Sequence, residues 1–267
     1  MATGRSIDPL WAAESVRVSV PETAPSLIAH RGFAGEYPEN TAAAIRAAAA
    51  AADWVEIDCR PTADGAIAVF HDHRLDRCTP LSGPVSEVGS EALFSTPVDG
   101  GGTVLSLPTA LSLVPAEVGV VLDLKGRSGE SPTGEPEDWG WIDRVVEVAR
   151  DAPNPTLAST FWEGALSTVD GRLPTAYLFA DDVEEAFTVA ERHGCRAIHP
   201  PSELIAGTPF AARDAPDDLL SRAEERGLAV NVWTVTGRHE AAALAERGVD
   251  GLIADYGDVL APRALPP

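Results

Sequence analysis

Lysine is almost missing from this chain. Of its 20 basic residues 19 are arginine, and Lys125 is the single lysine. Either Lys125 survives by chance, or its position needs a compact ammonium with three rotatable donors, which a guanidinium cannot replace. Cysteine is scarce too. Cys59, Cys78 and Cys195 are odd in number and widely spaced, which excludes a disulfide framework and a cysteine-based zinc pattern. Long apolar runs are absent, and none approaches the ~20 residues of a membrane span. Residues 1–20 carry Arg5, Asp8, Glu14 and Arg17 and lack the roughly 7–15-residue apolar core of a secretory signal. A cytoplasmic protein is the expectation. Positive charge is short overall: 41 acidic residues face 20 basic ones, a formal net charge of −21. Such a surface repels nucleic acid and anionic membranes. Neither nucleic acid nor a stable membrane association is therefore expected, and an anionic small molecule would need a local positive site. Oligomeric state is not readable.

What is present is an alternation of strands and helices. The 267 residues are 45% hydrophobic, close to the length of one (β/α)8 barrel. Leu27–His30 reads as a short buried strand, 41–52 as an alanine-rich helix with Asn40 or Thr41 as its cap, and Trp54–Cys59 as the next strand. An Asp64-Gly65 turn signal sends Ala66–Phe70 back as a hairpin arm. Residues 74–107 are rich in Gly, Ser, Pro and Thr and read as an excursion over a barrel mouth. A short helix from Pro108, a strand over Val118–Leu124 and a polar loop over Arg127–Gly140 follow. Trp139 and Trp141, at the end of that loop, are candidates to cover a pocket. Then come a helix over Ile142–Arg150 and strands over Thr156–Phe161 and Ala176–Phe179. A helix over Val183–His193 leads to a strand over Cys195–His199, and one over Pro216–Arg226 to a strand over Ala229–Val235. Arg238–Arg247 is a last helix and Gly251–Asp255 a last strand. About eight strands, the hairpin arm aside, predict a single-domain (β/α)8 TIM barrel over 26–260. It has an N-terminal arm (1–25), a lid-like insertion at about 72–107 and a tail (261–267).

The chemistry-bearing residues fall at or near the carboxyl ends of these strands, where barrels of this kind bind ligands. His30-Arg31-Gly32 ends the first strand with a proton carrier and a phosphate fork. Glu56 and Asp58, at i and i+2, leave one face of their strand. They form either a solvated edge or, neutralised by a cation, a hard-oxygen site suited to Mg²⁺, Ca²⁺ or Mn²⁺. Asp123 and Lys125 repeat the spacing inside an aliphatic run. They are either a buried ion pair or a third metal carboxylate with an anion contact beside it. His71, closing the hairpin arm, is either a turn cap or the partner of His30 in proton transfer. Trp233 is either a substrate wall or core packing. His199 has a possible reach to the pocket, whereas His73, His193 and His239 read as surface or loop residues.

These pieces together resemble the glycerophosphodiester phosphodiesterase family. The matching stretches are His30-Arg31-Gly32, Pro38-Glu39-Asn40-Thr41, Val55-Glu56-Ile57-Asp58, His71-Asp72, Leu75-Asp76-Arg77-Cys78-Thr79, Leu107-Pro108-Thr109, Leu122-Asp123-Leu124-Lys125, Val232-Trp233-Thr234-Val235 and Gly248-Val249-Asp250-Gly251. They run in family order from about residue 26 to 257. The resemblance implies a barrel that cleaves a phosphodiester, such as glycerophosphocholine, with one divalent cation. It assigns His30 and His71 as the acid–base pair, Glu56 and Asp58 as metal ligands, and Arg31 as a phosphate contact. It also implies that the segment after His71 helps choose the substrate. The chain departs from the family at Asp123, where Glu is usual and where the related sphingomyelinase D group has Asp. It departs again at Thr236, Ala254 and Cys78. Three alternatives stand beside hydrolysis to glycerol 3-phosphate and an alcohol. They are a phospholipase-D-like, cyclising cleavage of a lysophospholipid or sphingolipid, a barrel that binds a phosphodiester without turnover, and a metal-dependent hydrolase of another class such as amides.

Overall fold

Alternation of side chains along the strands sorts this chain into a core, a polar layer and an outer shell. The computed structural model describes residues 24–126 and 138–260. The expected arm up to residue 23, the loop segment 127–137 and the tail lie outside the described residues. In chain order the elements are β1 (Ser26–Ala29), α1 (Ala42–Ala51), β2 (Trp54–Pro61), β3 (Ile67–Val69), α2 (Ser90–Phe94), β4 (Leu105–Ser106), α3 (Leu107–Ser112) and β5 (Gly119–Leu124). There follow α4 (Ile142–Asp151), β6 (Thr156–Thr160), α5 (Glu163–Val169), β7 (Thr175–Leu178), α6 (Val183–Arg192), β8 (Ala197–His199), α7 (Leu219–Glu225), β9 (Ala229–Val235), α8 (Arg238–Arg247) and β10 (Gly251–Ala254). β1 pairs in parallel with both β2 and β10, and β2 continues through β5, β6, β7, β8 and β9 to β10. The eight-stranded parallel ring is closed, and the expected (β/α)8 barrel is present.

Buried residues from seven of the eight ring strands fill the barrel floor, Ile28, Trp54, Val121, Leu157, Ala176, Ala197 and Ile253, with the partly buried Ala229 of β9 against them. Two glycines make room for this layer. A Cβ on Gly119 would lie 2.2 Å from the Trp54 ring, and one on Gly251 would lie 2.4 Å from Asn231 Oδ1. Two residues further along each strand, on the same face, stand His30, Glu56, Asp123, Ser159, Leu178, His199, Asn231 and Asp255. Seven of these eight are polar, so the barrel interior changes from apolar to ionisable in one step toward its carboxyl end. Residues of opposite parity, such as Val55, Ile57, Val120, Leu122, Val230, Val232 and Leu252, join the larger core with Ile45, Ala48, Ile142, Val145, Phe187 and Leu244 of the helices.

β2 outruns the ring. Its last residues, Cys59–Pro61, pair antiparallel with β3, and β3 pairs with β4. The segment between β3 and β4 carries three short elements that weak periodicity concealed: the turns Leu75–Arg77 and Val85–Glu87, and α2. It packs around its own cluster of Ala68, Phe70, Leu75, Val85, Leu93, Val98 and Val104. α5 was also not legible, because Gly164, Thr168 and Val169 dilute its helical signal. α5 stops where Asp170 turns left-handed, at φ 48°. No helix among the described residues is long and apolar enough to cross a membrane.

Trp54 is the largest side chain of the floor, 1% exposed. Trp54→Ala should destabilise the fold by about 3–5 kcal/mol, read as a lowered midpoint in urea with an unchanged slope.

Candidate active site

The first site residues are set by backbone geometry. β1 ends at Ala29, and the next turn bends sharply: Arg31, Gly32 and Phe33 lie at φ 49°, 78° and 69°. Such angles are uncommon outside glycine and concentrate where function requires a strained backbone. Gly32 has a further reason, since a Cβ there would lie 2.7 Å from the carbonyl carbon of Ala44 in α1. The turn is tied down from the other side, where Asn40 N donates to Arg31 O at 2.9 Å. Thr41 then caps α1, its Oγ1 accepting from Ala44 N at 3.4 Å.

His30 therefore stands at the rim with two carboxylates. Its Nδ1 lies 2.6 Å from Asp255 Oδ1 and its Nε2 lies 3.8 Å from Glu56 Oε2. An Nδ1–H donated to Asp255 leaves Nε2, on the Glu56 side, outside any hydrogen bond. Burial lowers the imidazole pKa, but Glu56 and the Asp255 hydrogen bond outweigh it and raise the net value above 6.5. Asp255 was missed as a partner. Its signal was its place two residues beyond the floor residue Ile253.

Glu56, Asp58 and Asp123 stand on the neighbouring strands β2 and β5. Asp58 and Asp123 are register partners in the β2–β5 pair, and all three carboxylates are buried. Lys125 bridges two of them. Its Nζ is 3.0 Å from Asp58 Oδ1 and hydrogen-bonds Asp123 Oδ2. Asn40 Nδ2 donates to Asp58 Oδ2 at 2.6 Å. Burial pushes Asp58 up, but Lys125 and Arg31 override it and hold the carboxyl below its ordinary value. Glu56, with no cation in contact, is pushed up by burial to about 7. Lys125 is raised by Asp123 and Asp58 against the opposing effect of burial. Glu56 Oε2 and Asp123 Oδ1 are buried without a hydrogen-bond partner, whereas Asp58 Oδ1 faces the Lys125 ammonium. Hard oxygen donors left unpaired in a buried cluster fit a divalent cation chemically. Among the described residues no three His, Cys, Asp or Glu side chains close on one point at coordinating distance, and Lys125 stands between Asp58 and Asp123.

His71 follows β3. Its Nδ1 is 2.7 Å from Asp72 Oδ1. Burial lowers its pKa below 6.5, although Asp58 pulls the other way. The two histidines are thus displaced in opposite directions. Arg31 joins the groups, with Nε 3.5 Å from Asp58 Oδ2 and Nη1 3.3 Å from Glu39 Oε2.

Trp233 is half-buried and packs against the barrel floor. Its Nε1 donates to His199 O at 2.7 Å, and its ring meets Phe161 edge-on at 5.7 Å. A cavity of about 1000 Å³ opens beside it, lined also by Pro201, Leu204, Asp181, Glu203 and Asp214. A second, of about 400 Å³, opens between Arg60, His73, Lys125 and Trp141. Trp233 is therefore part of the packing and also borders a cavity. His199 does not reach a pocket: it is fully buried, its Nε2 is 3.0 Å from Asn231 Nδ2, and burial pushes its pKa down to about 3. His193 is not free at the surface either, since its Nε2 is 2.8 Å from Glu163 Oε1.

The barrel that carries this rim is shared by known proteins. The glycerophosphoryl diester phosphodiesterase family model matches residues 30–259. The chain belongs to this family. It is 26% identical to a glycerophosphodiester phosphodiesterase of Bacillus altitudinis over 247 residues, covering 87% of this chain and 95% of that one. Among solved structures it is similar to an Oleispira antarctica phosphodiesterase in complex with the product sn-glycerol-3-phosphate, with TM-score 0.74 and 25% identity over 88% of this chain and 94% of that one. A glycerophosphodiester phosphodiesterase from Agrobacterium tumefaciens shares the fold, with TM-score 0.71 and 22% identity over 89% and 100% of the two chains. The protein is accordingly an enzyme of this family.

Two outcomes follow for the rim. In an NMR titration His30 should titrate above 6.5 and His71 below it, and Asp255→Asn should move His30 downward. Gly32→Ala should cost about 3 kcal/mol, combining backbone strain with the Ala44 contact, and lower Tm by roughly 6–12 °C.

Proposed function

We propose that the enzyme hydrolyses glycerophosphodiesters to glycerol 3-phosphate and an alcohol, with one divalent cation, Mg²⁺ or Ca²⁺ by preference and Mn²⁺ as a third choice. The observation that carries this reading is the set of three buried carboxylates, two of them with an unpartnered oxygen, beside the cations Lys125 and Arg31 and with His30 against Glu56. Glu56, Asp58 and Asp123 would hold the metal. Bound there, it would polarise the phosphate and lower the pKa of a hydroxyl or water. Arg31 and Lys125 stabilise charge on the non-bridging oxygens. One imidazole takes the proton of the nucleophile and the other returns a proton to the leaving oxygen. Asp255 and Asp72 each fix one imidazole through its Nδ1. That leaves both Nε2 atoms for proton transfer. Trp233 forms an apolar wall for the substrate, and the segment after His71 acts as a lid that helps select the alcohol. The product of the Oleispira antarctica relative supports the direction of cleavage.

A cyclising route uses the neighbouring glycerol hydroxyl as nucleophile in the same site. Mass spectrometry separates the two, since a cyclic phosphate as end product replaces glycerol 3-phosphate in that route. A metal-by-substrate activity matrix over glycerophosphodiesters is the direct test. Turnover should vanish on chelation and return with the cation. His30→Ala and His71→Ala should each cut it about 10²–10⁴-fold. Near-full metal-dependent activity in both variants would overturn the assignment.

A further inference from the structure

Arg77 lies outside every role described above, yet its guanidinium spans two carboxylates from different segments. Nε donates to Asp72 Oδ2 at 2.5 Å and Nη2 to Asp72 Oδ1 at 3.2 Å. Nη1 donates to Glu39 Oε2 at 3.3 Å, and Nη2 also hydrogen-bonds Glu39 Oε1. Each carboxylate then contacts a site residue. Asp72 Oδ1 is bonded to His71 Nδ1, and Glu39 Oε2 accepts from Arg31 Nη1. We propose that Arg77 is a positioning residue: it sets the His71 imidazole and the Arg31 guanidinium relative to each other, so that the segment inserted after β3 controls the reaction centre without touching substrate. This rests on the roles of His71 and Arg31 proposed above.

The argument is one of rigidity. An exposed ion pair alone contributes about 0–1 kcal/mol, and the Arg77 side chain is 49% exposed. Its backbone, however, is pinned. Leu75 is fully buried in the cluster of the inserted segment. Thr79 Oγ1 donates to Leu75 O at 2.8 Å, and Asp99 N to Cys78 O at 2.8 Å. A planar fork on a fixed base can hold two carboxylates in one geometry, whereas a lysine ammonium is a point charge without that directionality. A misplacement of about 1 Å can cost roughly 10²-fold in rate.

The test compares Arg77→Met, Arg77→Lys, Asp72→Asn and Glu39→Gln in the metal-loaded enzyme on glycerophosphocholine, with Arg74→Met as control. Arg74 pairs with Asp76 and touches no site residue named above. Arg77→Met should lower kcat about 10–100-fold and raise KM, with Arg77→Lys failing to restore both. Asp72→Asn should reproduce the kcat loss and Glu39→Gln the KM rise. The double variant Arg77→Met/Asp72→Asn should be no slower than Arg77→Met. Arg74→Met should stay within about twofold of the parent. Nitrogen-15 NMR of His71 gives a readout independent of turnover: the Nδ1-bonded proton should be seen in the parent and lost to exchange in Arg77→Met. Kinetics within about threefold of the parent together with an unchanged His71 signal would overturn the proposal. So would losses that track Tm across all five single variants. An inactive parent with the His71 signal changed as expected would sink the proposed function and leave Arg77's positioning of His71 supported.

Discussion

The structure depends on accommodating three carboxylates inside a barrel with very few positive charges. Removing an ionised carboxylate from water is costly unless it is paired. Here Glu56, Asp58 and Asp123 are buried on adjacent strands, and Lys125 and Arg31 are the cations in reach. The allocation is uneven. Asp58 draws on Lys125, Arg31 and Asn40, whereas Glu56 meets only His30 at 3.8 Å. The result is one carboxyl held down and its neighbour two residues away raised to about 7. Environment, not residue type, divides their behaviour.

The solitary lysine acquires a physical reason in this setting. Its ammonium reaches Asp58 and Asp123 from one point between register partners. A guanidinium is larger and planar, and it needs its oxygens in a plane. Trp162 closes the space alongside, lying 2.5 Å from where a Cβ on Gly126 would be. Arg31 shows the converse. With its Nε on Asp58 and an Nη on Glu39, it uses the spread of a fork that lysine lacks.

Barrel topology and the placement of the charged residues were legible because they follow from period-two alternation, which tertiary contacts seldom override. The i, i+2 pairs Glu56/Asp58 and Asp123/Lys125 had to share a face, and they do. The pairing of His30 with His71 is an expectation that rests on the resemblance to known phosphodiesterases, since spacing alone leaves it open. What remained hidden were contacts across long sequence separations. Asp255 meets His30 over 225 positions, and Arg77 meets Glu39 over 38. Neither has a local pattern. Helices α2 and α5 were lost for a different reason, being short segments stabilised by packing that propensity does not encode. His199 misled because a histidine before two prolines at a strand end looks like a rim residue, while its parity places it among the buried polar layer.

That polar layer also bears on how an anion enters a chain with a net charge of −21. Glu56, Asp58, Asp123 and Asp255 outnumber the cations Lys125 and Arg31 beside them. A phosphodiester would gain little there, because the two cations are already engaged by Asp58, Asp123 and Glu39. The proposed divalent ion changes that balance. Glu56, Asp58 and Asp123 would hold it, and its positive charge would compensate these carboxylates if the ammonium and guanidinium turned from carboxylate to phosphate. On this view the ion pairs in the site are the resting partners of groups whose working partner is the substrate.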